Sequence, residues 1–227
     1  MSRSVLFDTE TTGLEPLAGD RVIEVAAIEL INDLPTRRSF HRLIHPGRDI
    51  PEDSTRIHGI TLEHLRDAPR FEAVVDELLE FFGDAQLVAH NAPFDFGFLN
   101  AELARLKRPP LARERMVDTL VLAKARFPGM PNSLDALCRR FNIDLSERTT
   151  HNALLDCRLL AEVYVELTGG RQRGLVLADE DGQGAMPVAR YDLAGPRTPR
   201  LIVPSEAELA AHAAFVAKLK DPVWTAS

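Results

Sequence analysis

The spacing of apolar positions changes along the chain, and each change predicts an element. Val5, Leu6 and Phe7 form a short apolar run that meets acids at Asp8 and Glu10 and then turn residues at 11–20, as a buried strand running into a loop would. Residues 21–33 are apolar and rich in β-branched side chains, which predicts a second strand, and a third around 37–46 completes a meander ending at Pro46. The period then lengthens. Phe71, Val74, Val75, Leu78, Leu79 and Phe82 recur at threes and fours ahead of Gly83, marking an amphipathic helix and its stop. Residues 85–90 read as a short buried strand, and 94–107 as a helix halted by Pro109 and Pro110. Residues 119–168 read as three helices, the second capped by Asn132 or Ser133 and the third following residues 149–152. Strands alternating with helices imply an α/β fold, a mixed central sheet with helices on both faces.

The pattern breaks after residue 170. Between 171 and 204, glycine and proline interrupt every periodic segment, which predicts a flexible linker. Order returns at Ser205, with Glu208 three residues later as a capping box and a stripe of Leu209, Ala213, Val216 and Leu219 behind it. One amphipathic helix cannot bury its own stripe, so it folds back or meets a partner. The expected organisation is a domain over 1–170, a linker over 171–204, and a docking helix and tail over 205–227.

Composition narrows the function. The 227 residues, 45% of them hydrophobic, suffice for one sizeable core plus an appendage. A formal charge of -7 argues against tight binding along a nucleic acid through clustered Lys and Arg, but leaves room for a strand end held by metals. Cys138 and Cys157 are far apart and without Cys-x-x-Cys spacing, so they are expected as buried thiols rather than zinc ligands or a disulfide. No run approaches the ~20 apolar residues of a membrane span, and the expected location is the cytoplasm.

The acids carry the chemistry. In a strand, residues two apart share a face, so Asp8 and Glu10 project together from its end. Taken alone, a turn or cap would explain them. Asp95 follows a buried strand at a loop-to-helix junction, and Asp156 lies in an apolar helix among Leu154, Leu155, Leu159 and Leu160. An unpaired carboxylate there would be costly, so a partner is expected, either an arginine or a metal ion. Oxygen donors without a cysteine set or a His pair at i, i+4 favour Mg²⁺ or Mn²⁺, and two such ions ~4 Å apart form a clamp suited to phosphodiester hydrolysis. His151, five residues before Asp156, would diverge from it by roughly 140° on a regular helix, so it is expected on the preceding loop or first turn. There it is suited to accept a proton from water. Asp118 reads as a helix cap.

Together, FDTETTG at 7–13, HNAPFDFGFL at 90–99 and HNALLDCRLLAEVY at 151–164 resemble the three motifs of the DEDDh, or DnaQ-like, 3′-to-5′ exonuclease superfamily. The resemblance implies a ribonuclease H-like fold and one two-metal site. Asp8, Glu10 and Asp156 would hold one ion, Asp8 also touching the second and Asp95 supporting it, with His151 as general base. Beyond these motifs, RIHGIT at 56–61, FPGMPNSLDALCRRFNID at 127–144 and the tail from Ser205 resemble the proofreading epsilon subunits of bacterial DNA polymerase III. That implies removal of mispaired nucleotides from DNA 3′ ends, with Thr11, Thr12, Leu14, His58, Asn91 and Phe94 lining the terminal nucleotide. It also implies that Leu209, Val216, Leu219 and Trp224 dock the polymerase catalytic (alpha) subunit. Gln183 with Met186 stands where such subunits carry a sliding-clamp motif, although plain linker fits the Gly- and Pro-rich setting better. An RNA-directed DEDDh exonuclease and a non-catalytic polymerase-binding scaffold are the competing readings.

Overall fold

The computed structural model describes residues 2–146, 148, 150–169 and 204–219. Five strands form one sheet: β1 (Arg3–Thr11), β2 (Val22–Ile31), β3 (Leu34–Leu43), β4 (Gln86–Ala89) and β5 (Met116–Asp118), in the order β3-β2-β1-β4-β5. The first three are an antiparallel meander, whereas β4 and β5 run parallel to β1. Helices α1 (Glu52–His58), α2 (Phe71–Phe82), α3 (Ala92–Arg105), α4 (Thr119–Arg126), α5 (Leu134–Phe141) and α6 (Ala153–Leu167) accompany the sheet, and α7 (Glu206–Val216) lies in the tail.

Strand alternation sorts the core into two layers. Val5, Phe7, Val25, Ala27, Phe40, Leu87 and Ala89 face α2 and α3, burying Val74, Leu78, Phe82, Phe96 and Leu99. Leu6, Ala26, Ile28, Leu30 and Val88 face the other way, against Leu137, Cys157, Leu160 and Val163 of α5 and α6. Because both faces are covered, β1 and β2 read as nearly continuous apolar runs. The same parity sends Asp8 and Glu10 to the α6 side and Thr9 to the α3 side. Cys138 and Cys157 are buried free thiols, as expected.

The capping expectations hold: Ser133 accepts from the Ala136 amide, Asn152 from Leu155, and Asp118 from Leu120. Two elements were not anticipated. α1 is seven mostly polar residues with no apolar stripe, and β5 is three residues long, too short to show a period. β3 starts earlier than expected and contains Pro35, which an edge strand tolerates because one side of its ladder is unpaired.

The chain divides into two compact units, Met1–Leu175 and Val176–Ser227. In the second, α7 opens with the expected capping box between Ser205 and Glu208. Leu209, Phe215 and Leu219 are exposed and Val216 is buried; the helix ends before Leu219. Trp224, Gln183 and Met186 lie outside the described residues. Among the described residues no helix is long and apolar enough to cross a membrane.

Candidate active site

The end of β1 faces a cleft of about 590 Å³ lined by Asp8, His90, Asn91, Asp135, Arg148, His151 and Asp156, among others. Each acid arrives on a different element. Asp8 and Glu10 come from β1, Asp95 from the first turn of α3, and Asp156 from the first turn of α6. His151 lies just before α6, off the helix as its spacing required, with Nδ1 3.3 Å from Asp156 Oδ2.

Asp95 is tied to the strand rather than left open. Its Oδ1 accepts from the Thr9 amide at 3.1 Å and from Thr9 Oγ1 at 2.7 Å, so α3 is fastened to the far face of β1. The turn that delivers it starts at Asn91, whose left-handed φ of 62° is tolerated by asparagine and whose amide donates to Asp118. Asp118 therefore caps α4 and braces the turn carrying Asp95.

The electrostatics are lopsided. Burial, followed by the charges of Asp95 and Glu10, holds the Asp8 carboxyl well above the ordinary carboxylate range. Glu10 is pushed up to about 8, first by burial and then by Glu24. Asp95 rises to about 7 through burial, against the pull of its Thr9 hydrogen bonds. Asp156 alone goes down: burial raises it, but the Arg148 and His151 contacts outweigh that.

A partner for Asp156, arginine or metal ion, was expected from its apolar helix, and Arg148 supplies the first of these. Its Nε lies 2.6 Å from Asp156 Oδ1 and its Nη2 2.8 Å from Oδ2, while Nη1 reaches Asp135. Nη2 also lies 2.9 Å from His151 Nδ1, and a guanidinium only donates, so Nδ1 accepts there.

The residues fit a metal. One donor atom each from Glu10, His151 and Asp156 lie within 4.8 Å of one another, with Asp8 alongside in the same cleft. Like-charged carboxylates held this close, two of them shifted upward, are stabilised by a shared cation, and an oxygen-dominated donor set suits a hard divalent ion.

Glu24 was read only as part of an apolar strand, yet it is fully buried and organises the site. It pairs across the sheet with Glu10 and accepts from His41 Nε2 at 2.6 Å and from the Asn152 side chain and Ala153 amide at 3.2 Å each. It thus anchors the start of α6, which carries Asp156. His41, to which the sequence assigned nothing, belongs to this anchor, and His90 lines the cleft with Nδ1 2.9 Å from Thr119 Oγ1. The sequence signal for Glu24 was a charged residue in an otherwise apolar strand, where a buried partner set is required.

The nucleotide-lining candidates are placed as follows. Thr11 Oγ1 donates to Gly13 O, and Thr12 is fully buried with its hydroxyl shared between Asp20 and the Arg21 amide. Leu14 is 73% exposed. Phe94 is half-buried against Phe98, with ring centroids 4.9 Å apart. His58 is buried; its Nδ1 accepts from the Ile60 amide, so Nε2 carries the proton, which faces the Thr11 backbone without forming a close hydrogen bond among the described residues.

The chain is similar to known proteins. A family model described as exonuclease, of RNase T type, matches residues 5–164. The DNA polymerase III subunit epsilon of Rickettsia felis is 45% identical over 221 residues, spanning 96% of both chains. Its counterpart from Escherichia coli K12 is 39% identical over 225 residues, spanning 94% of this chain and 92% of that one. Among solved structures, exonuclease X in complex with 5′-overhanging duplex DNA superposes with a TM-score of 0.59 at 28% identity, covering 74% of this chain and 92% of that one. Likeness of this extent, along a chain whose Asp8, His151 and Asp156 line one cleft, has one consequence: the protein belongs to the exonuclease family, as an enzyme of the DEDDh type closely related to DNA polymerase III epsilon subunits.

Proposed function

We propose that the chain removes mispaired nucleotides one at a time from the 3′ end of DNA, as the editing subunit of a replicative polymerase, with two divalent cations, Mg²⁺ or Mn²⁺. The observation that carries this reading is the convergence of Glu10, His151 and Asp156 beside Asp8 in an open cleft. Asp8, Glu10 and Asp156 would hold the ions, with Asp95 supporting from α3. Bound cations supply Lewis-acid polarisation of the phosphodiester and a more acidic water. His151, half exposed at the rim, takes the proton from that water once its imidazole is free of Arg148. The Nε2–H of His58, which has only the weakly placed Thr11 backbone as acceptor, is a donor for the terminal nucleotide, whose sugar and base are flanked by Thr11, Thr12, Leu14, Asn91 and Phe94. Selection needs no reading of the mismatch: a mispaired end unpairs at lower cost, and the freed strand enters the cleft.

The direct test offers 5′-labelled single-stranded DNA, paired and mispaired primers, and RNA to the protein with Mg²⁺ or Mn²⁺. Stepwise shortening of the single strand, faster trimming of mispaired than paired primer, and silence in EDTA are expected. Internal cuts, or full activity in EDTA, would overturn it; faster loss of RNA would favour an RNA-trimming enzyme.

The exposed Leu209 and Leu219 of the tail, with Val216 and Trp224, form the polymerase-docking element in this reading, and the relatives' designation as polymerase subunits supports it. Removing residues 205–227 is expected to leave hydrolysis of single-stranded DNA intact and to abolish co-elution with the polymerase catalytic subunit. Retained co-elution would place docking elsewhere in the chain.

A further inference from the structure

We propose that Arg148 is a positioning residue that holds Asp156 until a metal ion binds: its guanidinium grips both oxygens of Asp156, and a metal ion must compete with it for Asp156. The proposal rests on the reading of Asp156 as a metal ligand.

Among the described residues, Arg148 makes the one Lys or Arg ion pair to any of Asp8, Glu10, Asp95 and Asp156. The contact is bidentate, through Nε at 2.6 Å and Nη2 at 2.8 Å, the strongest geometry an arginine offers a carboxylate. It is also sheltered, with the Arg148 side chain 9% exposed and that of Asp156 6%. Nη2 reaches His151 Nδ1 as well, so Arg148 occupies two of the three residues whose donor atoms converge. Each Asp156 oxygen keeps a second lone pair, but both already face the guanidinium, so a metal ion drawn to Asp156 meets a cation at contact distance and the two compete through their charges.

The arginine has somewhere to remain. Its Nη1 is bonded to Asp135 in the first turn of α5, on the wall of the same cleft. Release of Asp156 and His151 therefore leaves Arg148 tethered by one charged contact rather than stranded in a buried pocket. One side chain accounts for two needs: it keeps a buried carboxylate satisfied before the metal arrives, and it holds α6 and His151 in register so that the ligands are already gathered when it does.

Calorimetric titration of the full chain with Mn²⁺ tests this, using wild type, Arg148→Gln, Arg148→Lys and Asp156→Asn. Arg148→Gln is expected to bind Mn²⁺ about tenfold more tightly, because a charge-assisted contact no longer competes. Arg148→Lys keeps the charge but loses the fork, so its affinity should also rise. In EDTA, Arg148→Gln should melt below wild type, and saturating Mn²⁺ should close the gap. Unchanged or weaker Mn²⁺ binding in Arg148→Gln overturns the proposal, as does Arg148→Lys matching wild type, which would make Arg148 a distant charge only. A melting deficit that persists in Mn²⁺ would also overturn it, as a purely structural arginine. Asp156→Asn is the separate control: if it binds Mn²⁺ as wild type does, the metal reading of Asp156 fails, whatever Arg148 does.

Discussion

β1 and β2 bury carboxylates at both ends, and the chain treats the two ends in opposite ways. At one end Glu29, opposite Val5, receives Arg3 at 2.8 Å, Arg38 at 2.9 Å and the Thr36 hydroxyl, and its carboxyl is held below the usual range, chiefly by the Arg3 hydrogen bond. At the other end Glu10, opposite Glu24, has no Lys or Arg ion pair among the described residues, and its carboxyl is pushed up to about 8 by burial and by Glu24. Like charges directly opposite on a sheet are unfavourable, so the second end stores a charge deficit that the first shows the same strands can avoid. The deficit marks the working end. A cation from outside removes it, and the stability given up there is the condition for binding one.

The largest effects should separate the ends completely. Asp8→Ala or Asp156→Ala should reduce DNA hydrolysis to background in a 3′-end assay, with the circular-dichroism spectrum unchanged, because each would remove a proposed metal ligand. Arg3→Ala at the other end should leave the rate alone and lower the melting temperature. Activity surviving in either acid variant would sever the link between the deficit and catalysis. Next comes His151→Ala, where loss of a general base predicts a fall in kcat of ~10²- to 10⁴-fold with little change in KM. A neutral result would hand the proton to another group.

The anchor gives a finer contrast. Glu24→Ala leaves His41, Asn152 and the Ala153 amide without their acceptor at the start of α6. The expected result is a loss of about 2 kcal/mol of stability and, through misplacement of Asp156, ~10- to 10²-fold in rate. Glu29→Ala, freeing partners that solvent can reach, should lower stability by about 1 kcal/mol and leave the rate unchanged. Equal effects of the two substitutions on rate would show that Glu24 is only structural.

This contrast also explains what could be read from the residues alone. Asp8, Glu10, Asp95 and Asp156 stood out as candidates because each sits where an apolar run stops or is interrupted, but with His151 they became a set only through the resemblance of their three segments to the DEDDh motifs. Glu24 and His41 did not stand out, since their meaning depends on which residue the sheet places opposite Glu10, and register is a long-range property. The sequence predicted a partner for Asp156 and left open arginine or metal; the arginine comes from residue 148, in a loop without periodicity. Most helices and their caps were visible through the 3.6-residue period and the Ser, Asn and Asp side chains before them, whereas α1 and β5 were too short to carry a period.

The smallest effect, and the most specific, is a pH dependence confined to the acidic end. A carboxyl whose pKa is higher in the folded than in the unfolded chain binds extra protons when folded, so stability falls as pH climbs from the ordinary carboxylate value towards the folded one. Asp8, Glu10 and Asp95 all shift this way, Glu10 to about 8 and Asp95 to about 7. His58 and His90, lowered mainly by burial, act in the opposite sense, but only below their ordinary value near ~6.5. Asp156 and Glu29 are shifted downward and lose their contribution only at acid pH. Between about pH 6.5 and pH 8, then, the three raised acids set the trend, and the melting temperature in EDTA should fall by a few degrees. Divalent cations bind the deprotonated ligands, so saturating Mg²⁺ should raise the melting temperature more at the alkaline end and flatten the curve. Asp8→Asn removes one of the three and should shallow the decline in EDTA, while Glu29→Gln should leave its slope untouched. A flat or rising EDTA curve would mean that the carboxylates are neutralised within the fold, leaving no difference between the two ends for a metal to exploit.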